Sequence, residues 1–312
     1  MYNDTKKYIE VYKSLKSVII DAQSEDRIRE AFNQKITDIC LDVDKTIAFE
    51  DKLNISTKEL LEQIINRNIR VHILTGRGGK GIEDLKEELL NYFFAKNANL
   101  NNLFFAVNNG SKRFKCVNGK FEEEILIKEE DSNTFKFKRD IIIDYLIKEI
   151  VSNKYVNDTY DESFRNAVEH SGNSSIRICF KPSDVIDEKG IFRLIKNSID
   201  SHKEIELFSS KGMYKDLQIF EISLASKLGY INFIKKELLI KDQEILRIGD
   251  QGKIGGNDFD MLNSLRGFSV NEIEDTTIGV MPVLDDNYQI IKNLEATETV
   301  LRKVLVRGQN ER

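Results

Sequence analysis

The sequence predicts an α/β protein: a core with a parallel sheet, interrupted by an inserted α+β segment and preceded by a helical extension. Two observations carry this. Short apolar runs, each followed by a turn and a helix-like stretch, recur at 36–41, 69–74, 103–107 and 244–248. Strands that alternate with helices in this way build parallel sheets. Between the third and fourth runs the rhythm breaks, and the chain there is long enough for a second α+β domain.

Residues 1–35 are polar with apolar positions at helical spacing (Tyr8, Val11, Tyr12, Leu15, Val18, Ile19), which predicts one or two amphipathic helices without chemistry of their own. Residues 36–125 form the first part of the core, ending in a hairpin over 113–127 that turns at Asn118 and Gly119, a pair suited to positive φ. The insertion, 126–209, reads as a helix at 135–152, a strand at 174–181 ending before Pro182, a helix at 184–201 and an extended run at 204–209. Residues 210–312 complete the core, with a helix opening at Lys227 and a last helix over 293–306.

The 312 residues exceed what one compact core usually needs. With 40% hydrophobic and 32% charged residues, the chain has no apolar run long enough to cross a bilayer. No cationic leader is visible, so the expected location is the cytoplasm and no membrane partner is expected. Cys40, Cys116 and Cys179 are odd in number and far apart, which suits reduced thiols. A formal charge of −5 argues against a nucleic-acid surface. The sequence assigns no oligomeric state.

The chemistry lies at the ends of the apolar runs. Asp42-Val43-Asp44-Lys45-Thr46 directly follows the first, and side chains two apart in an extended chain point the same way, so Asp42 and Asp44 can converge on a metal or a shared proton. Thr75-Gly76-Arg77 follows the second run, and Gly249-Asp250 the last. Topology alone would gather these groups where open α/β sheets bind ligands. The loop from Asp250 to Asn257 and Asp258 is rich in glycine and hard oxygen donors that suit magnesium. Lys227 opens a helix, where the dipole disfavours a cation and a phosphate could select one. Each signal alone has an ordinary alternative: an Asp-rich turn, a helix cap, a solvated Gly-Asn-Asp turn, a surface lysine.

Together and in this order, Asp42-x-Asp44-x-Thr46, Thr75, Lys227, Gly249-Asp250 and Asn257-Asp258 resemble the four motifs of the haloacid dehalogenase (HAD) superfamily. The insertion between Thr75 and Lys227 is similar to the C2-type cap of the Cof-like sugar phosphatases, sucrose phosphatases and phosphomannomutases, and Asn109-Gly110-Ser111 resembles their Asn-Gly-Ala segment. The resemblance implies a Rossmann-like core and a magnesium-dependent phosphatase acting on a small phosphorylated substrate, a sugar phosphate above all. It implies Asp42 as the nucleophile that becomes phosphorylated and Asp44 as general acid and base. Thr75, Gly76 and Lys227 would bind the phosphate. Asp42, the Asp44 carbonyl and Asp250 would bind the metal, supported by Asn257 and Asp258. Lys45 departs from the pattern by replacing a glycine, and Leu228 displaces the usual glycine after Lys227. A sugar phosphate mutase is the second reading among enzymes, and a silent phospholigand-binding protein the reading from another class.

Overall fold

The computed structural model describes residues 9–11, 13–14, 34–49, 51–78, 80–156, 168–171, 174–181, 184–214, 217–273 and 279–310. Most of the expected N-terminal helices lie outside these residues, although 9–11 and 13–14 are helical and Ile9 is buried in the core cluster. The chain forms two compact units. One comprises 1–124, 227–254 and 258–312; the other comprises 125–226 with 255–257.

The first unit is built on a nine-stranded sheet. Its strands are β1 (Asp38–Asp42), β4 (Arg70–Leu74), β5 (Leu103–Val107), β6 (Lys112–Val117), β7 (Lys120–Ile125), β12 (Ile245–Gly252), β13 (Gly267–Ile273), β14 (Val280–Leu284) and β15 (Ile290–Ile291). Their order is β15-β14-β13-β12-β1-β4-β5-β6-β7, parallel from β14 through β5 and closed by antiparallel neighbours, β15 at one side and β6 at the other. Every residue of β1 is buried, as a central parallel strand covered on both faces must be. A small hairpin of β2 (Ala48–Phe49) and β3 (Lys52–Leu53) follows β1. The expected hairpin at Asn118-Gly119 is present: both residues have positive φ, 52° and 77°, and join β6 to β7.

Helices α1 (Ile55–Asn66), α2 (Lys80–Ala95), α5 (Lys227–Leu238), α6 (Phe259–Leu262) and α7 (Asn293–Asn310) belong to this unit, numbered with two more described below. Asn54 caps α1 by accepting from the Ser56 amide at 3.1 Å, and Leu60, Leu61, Ile64 and Ile65 face inward at helical spacing. Ser56 Oγ donates to Glu298 of α7 at 3.0 Å, tying the two helices. Arg113 on β6, almost wholly buried, donates to Glu124 on β7 and to Glu237 on α5, so the edge hairpin is fastened to the helix that opens at Lys227.

The second unit carries a four-stranded antiparallel sheet ordered β10 (Phe208–Tyr214), β11 (Leu217–Ser223), β9 (Ser175–Phe180), β8 (Val168–Ser171). Helices α3 (Glu129–Ser152) and α4 (Glu188–Ser201) supply Phe135, Ile142, Leu146, Ile191 and Ile195 to a separate apolar core with Ile176, Ile178, Phe180 and Phe220. The boundary expected at residue 209 lies later, because β10 pairs with β11 and β11 with β9 through Ser223. The helix expected to begin at 135 starts at Glu129, where three acidic residues in the first turn favour a helix N-terminus.

Two features of the core carry measurable consequences. Asp38 at the start of β1 accepts from Arg70 at 2.7 Å on both oxygens and contacts His72 at 3.0 Å. Burial pushes its carboxyl up, but the hydrogen bonds from His72 and Arg70 outweigh this and hold it at about 2. Burial holds His72 below its usual value, so the neutral ring donates from Nε2 to Asp38 and accepts at Nδ1 from the Tyr230 hydroxyl. The second feature is Lys45, whose φ of 57° lies in the left-handed region that favours glycine.

Because the folded carboxyl of Asp38 titrates below its unfolded value, its contribution of about 2 kcal/mol is present above about pH 4 and lost as pH falls toward 2. Urea unfolding across that range should show the loss, flattened in Asp38→Asn, which should also be less stable at pH 7. Lys45→Gly should raise unfolding stability by about 0.5–1 kcal/mol, since the gain from relieved backbone strain exceeds the added chain entropy; an unchanged or lower urea midpoint would show that Lys45 pays no such penalty.

Candidate active site

Four segments that are distant in sequence meet at the C-terminal ends of the parallel strands. Asp42 ends β1, Thr75 follows β4, Asp250 lies near the end of β12, and Asn108 and Asn109 follow β5. Lys227, the first residue of α5, is 3% exposed and reaches Asp42 Oδ1 and Asp258 Oδ1, both at 2.5 Å. Two carboxylates thus offset a buried ammonium at a helix start. Burial alone would lower the Lys227 pKa, but Asp258 and Asp42 outweigh it and keep the side chain charged.

Asp258 is seated on the backbone of β12. Its Oδ2 accepts from the amides of Asp250 at 3.0 Å and Gln251 at 3.2 Å. The seat exists because residue 249 is glycine: a Cβ there would lie 2.6 Å from Asp258 Oδ2. The register between β12 and β13 shifts between Gly249 and Gln251, placing Asp250 at an irregularity of the kind that re-aims a side chain beside a site.

Oxygen atoms of Asp42, Asp250 and Asp258 lie within 4.8 Å of one another, all three residues buried. Asp250 Oδ1 is buried without a hydrogen-bond partner among the described residues. Burial raises the Asp42 carboxyl, and repulsion from Asp258 adds to it beyond what Lys227 recovers; burial, then Asp258 and Asp42, raise Asp250 in the same way. Three buried carboxylates beside one ammonium, with an oxygen left unpaired, fit a hard divalent cation.

Thr75 is buried; its amide donates to Ala106 O at 2.9 Å and its Oγ1 accepts from the Arg77 amide at 3.0 Å, which leaves the hydroxyl hydrogen unused by that contact. Gly76 allows Asn109 to close on the turn, since a Cβ would lie 3.1 Å from Asn109 Oδ1. Thr46 is also buried, and its Oγ1 has no partner among the described residues.

The Asp44 carboxylate is not one of the three in the acidic group. β1 ends at Asp42, so the extended-chain alternation expected to aim Asp44 beside it stops there. The Asp44 side chain is 44% exposed and is held by Arg77, leaving Asp258 as the third carboxylate of the group. Asn257 falls in the 255–257 segment of the second unit.

Arg77 is a member of the site that the sequence does not distinguish from its many other cations. Its Nε donates to Asp44 Oδ2 at 3.1 Å, its Nη2 to Asp44 Oδ1, and its Nη1 lies 2.5 Å from Asp51 Oδ1. The signal was its place directly after Thr75 and Gly76.

No family model matches the sequence, and no curated protein does. Solved structures do match. An IMP-bound mutant of Plasmodium falciparum IMP-nucleotidase superposes with a TM-score of 0.60 at 13% identity, over 96% of this chain and 79% of that one. A protein described as a HAD/COF-like hydrolase from Plasmodium vivax gives a TM-score of 0.56 at 16% identity, over 89% of this chain and 99% of that one. A haloacid dehalogenase-like hydrolase from Bacteroides thetaiotaomicron gives 0.50 at 15% identity, over 86% and 100%. With a parallel α/β core, an α+β insertion between Thr75 and Lys227, and these structural neighbours, the chain has the fold of the HAD-like hydrolases.

Proposed function

We propose that the chain is a magnesium-dependent phosphomonoester hydrolase that acts on a small phosphorylated metabolite, a sugar phosphate by preference, through a phosphorylated Asp42. The observation that carries this reading is the placement of Asp42: a buried carboxylate at the end of the central strand, 2.5 Å from a buried ammonium and within reach of two further carboxylates. Such a group is poised to attack phosphorus and split one hard displacement into two easier ones.

In the first half an Asp42 oxygen bonds to phosphorus while the bond to the leaving oxygen breaks, and Asp44 protonates that oxygen. In the second, water attacks phosphorus, Asp44 takes its proton, and Asp42 is released. Lys227 and the Thr75 hydroxyl would hold the nonbridging oxygens. Asp42, Asp250 and the Asp44 carbonyl would bind magnesium, with Asp258 fixed behind them by Lys227 and the β12 amides. The ion would supply positive charge against which a dianionic phosphate can enter and react.

A nucleoside monophosphate is the second substrate reading, favoured by the IMP-nucleotidases among the structural neighbours. Sugar phosphates and IMP therefore belong in one substrate panel. Isomerised sugar phosphate in place of released phosphate would point to the mutase reading, and no turnover on any member to a binding protein.

Phosphate release should require magnesium and stop in excess chelator, and Asp42→Asn should lower kcat on the order of a thousandfold or more while the protein stays folded. Equal release by native and Asp42→Asn chains would end the proposal. Magnesium should also stabilise the fold, by about 2.7 kcal/mol at a hundred times its dissociation constant. The raised carboxyls of Asp42 and Asp250 hold protons in the folded state above the ordinary carboxylate range. The cation-free protein therefore loses stability as pH rises from about 4, and a metal must displace those protons at low pH. The rise in Tm with magnesium should grow from pH 5 to pH 8 and shrink in Asp250→Asn; a rise independent of both would place the ion elsewhere.

A further inference from the structure

The geometry points to Arg77 as the residue that positions Asp44, a role that rests on the phosphatase reading above. Asp44 must protonate the leaving oxygen and then deprotonate water, and each transfer depends on the direction of one carboxylate. Its side chain is 44% exposed, beyond the end of β1 and outside the acidic group. An exposed aspartate left to itself samples several rotamers. The Arg77 fork takes both of its oxygens and so fixes the carboxylate in one plane, which a lysine, presenting a single point charge, could not do.

Arg77 is itself a rigid post. Its amide donates to Thr75 Oγ1 at 3.0 Å, and its carbonyl accepts from the Asn108 amide at 3.0 Å. The chain after it lies flat on Asn108, since a Cβ on Gly78 would come within 2.0 Å of Asn108 Oδ1. The remaining arm of the guanidinium meets Asp51, 67% exposed in the turn between β2 and β3. Thr75, Arg77, Asp44 and Asp51 therefore form one continuous chain of contacts, linking the expected phosphate-gripping threonine to the proton-transfer group and to the β2–β3 turn.

The chemistry gives this arrangement a purpose. As Asp42 bonds to phosphorus, the electron pair of the breaking bond stays on the leaving oxygen, which takes the Asp44 proton and departs as the alcohol. The carboxylate left behind faces the guanidinium, aimed for the water that follows. The demand on Asp44 is greatest when the leaving oxygen is basic and vanishes when it leaves readily as a stable anion.

The test compares a sugar phosphate with p-nitrophenyl phosphate, in magnesium, on the full chain and on Arg77→Gln, Arg77→Lys, Asp51→Asn, Asp44→Asn and Asp42→Asn. Arg77→Gln should lower kcat/KM on the order of a hundredfold for the sugar phosphate, within the usual range for general acid catalysis, and only a few-fold for the nitrophenyl ester, with Arg77→Lys between native and Gln. Asp51→Asn, an exposed change that leaves Asp44 untouched, should shift the same ratio in the same direction by about threefold. Adding Arg77→Gln to Asp44→Asn should cost nothing further on the sugar phosphate. Equal losses on both esters, or additive losses in the double variant, would make Arg77 a phosphate or folding residue and overturn the inference. Release that does not depend on Asp42 at all would instead remove the phosphatase reading, and this role with it.

Discussion

The ammonium of Lys227, buried between Asp42 and Asp258, is the contact on which the rest of the site depends. It joins the first residue of α5, the last residue of β1 and the loop after β12, three segments that nothing local in sequence brings together. Removing one partner of such a buried group leaves the others uncompensated, at a cost of about 3–5 kcal/mol. The arrangement is not neutral even when complete. Three carboxylates face one ammonium, and burial raises two of those carboxyls out of their ordinary range. The site is built to be short of positive charge.

The sheet makes this shortage possible. Parallel strands end together, so residues that terminate β1, β4 and β12 converge without needing long side chains. Gly249 lets the Asp258 carboxylate lie against β12, and the shift in register turns Asp250 out of the regular pleat. At the other end of β1 the opposite electrostatic solution is found. Asp38 is buried too, but Arg70 and His72 supply both its oxygens with donors and hold it ionised. One strand therefore carries two buried aspartates, one with donors of its own on both oxygens and one that must share the Lys227 ammonium with Asp258.

The parts of this that the sequence made legible are those governed by short-range rules. Apolar runs gave β1, β4, β5 and β12; Asn118-Gly119 gave its turn; and acidic or polar residues just past those runs gave Asp42, Thr75 and Asp250. What escaped depended on where a regular element stops. Alternation along an extended chain aims Asp44 beside Asp42, and its charge does act there, but the strand ends at Asp42 and the partner that holds the Asp44 carboxylate, Arg77, is set by no local pattern. The second unit runs past residue 209 because β10 pairs with β11 and β11 with β9, a partner that no local pattern in 210–223 reveals. Arg77 stood in view after Thr75 and Gly76, yet an arginine in a chain with 47 lysines and arginines carries no signal until its partners are known.

The same energetics weigh on the reading of the chain as a silent binding protein. A fold relieved of catalysis gains stability from any change that removes an unpaired buried carboxylate, because burial of such a group without a partner costs several kcal/mol. This chain keeps Asp42, Asp250 and Asp258 buried together and leaves an Asp250 oxygen unpartnered among the described residues. It also keeps a lysine at a left-handed position where glycine would fit without strain. Strain at Lys45 and unbalanced charge at Asp42, Asp250 and Asp258 are thus gathered at the C-terminal ends of β1 and β12, as at sites that hold a ligand. A cation bound among the three carboxylates would relieve the larger of the two.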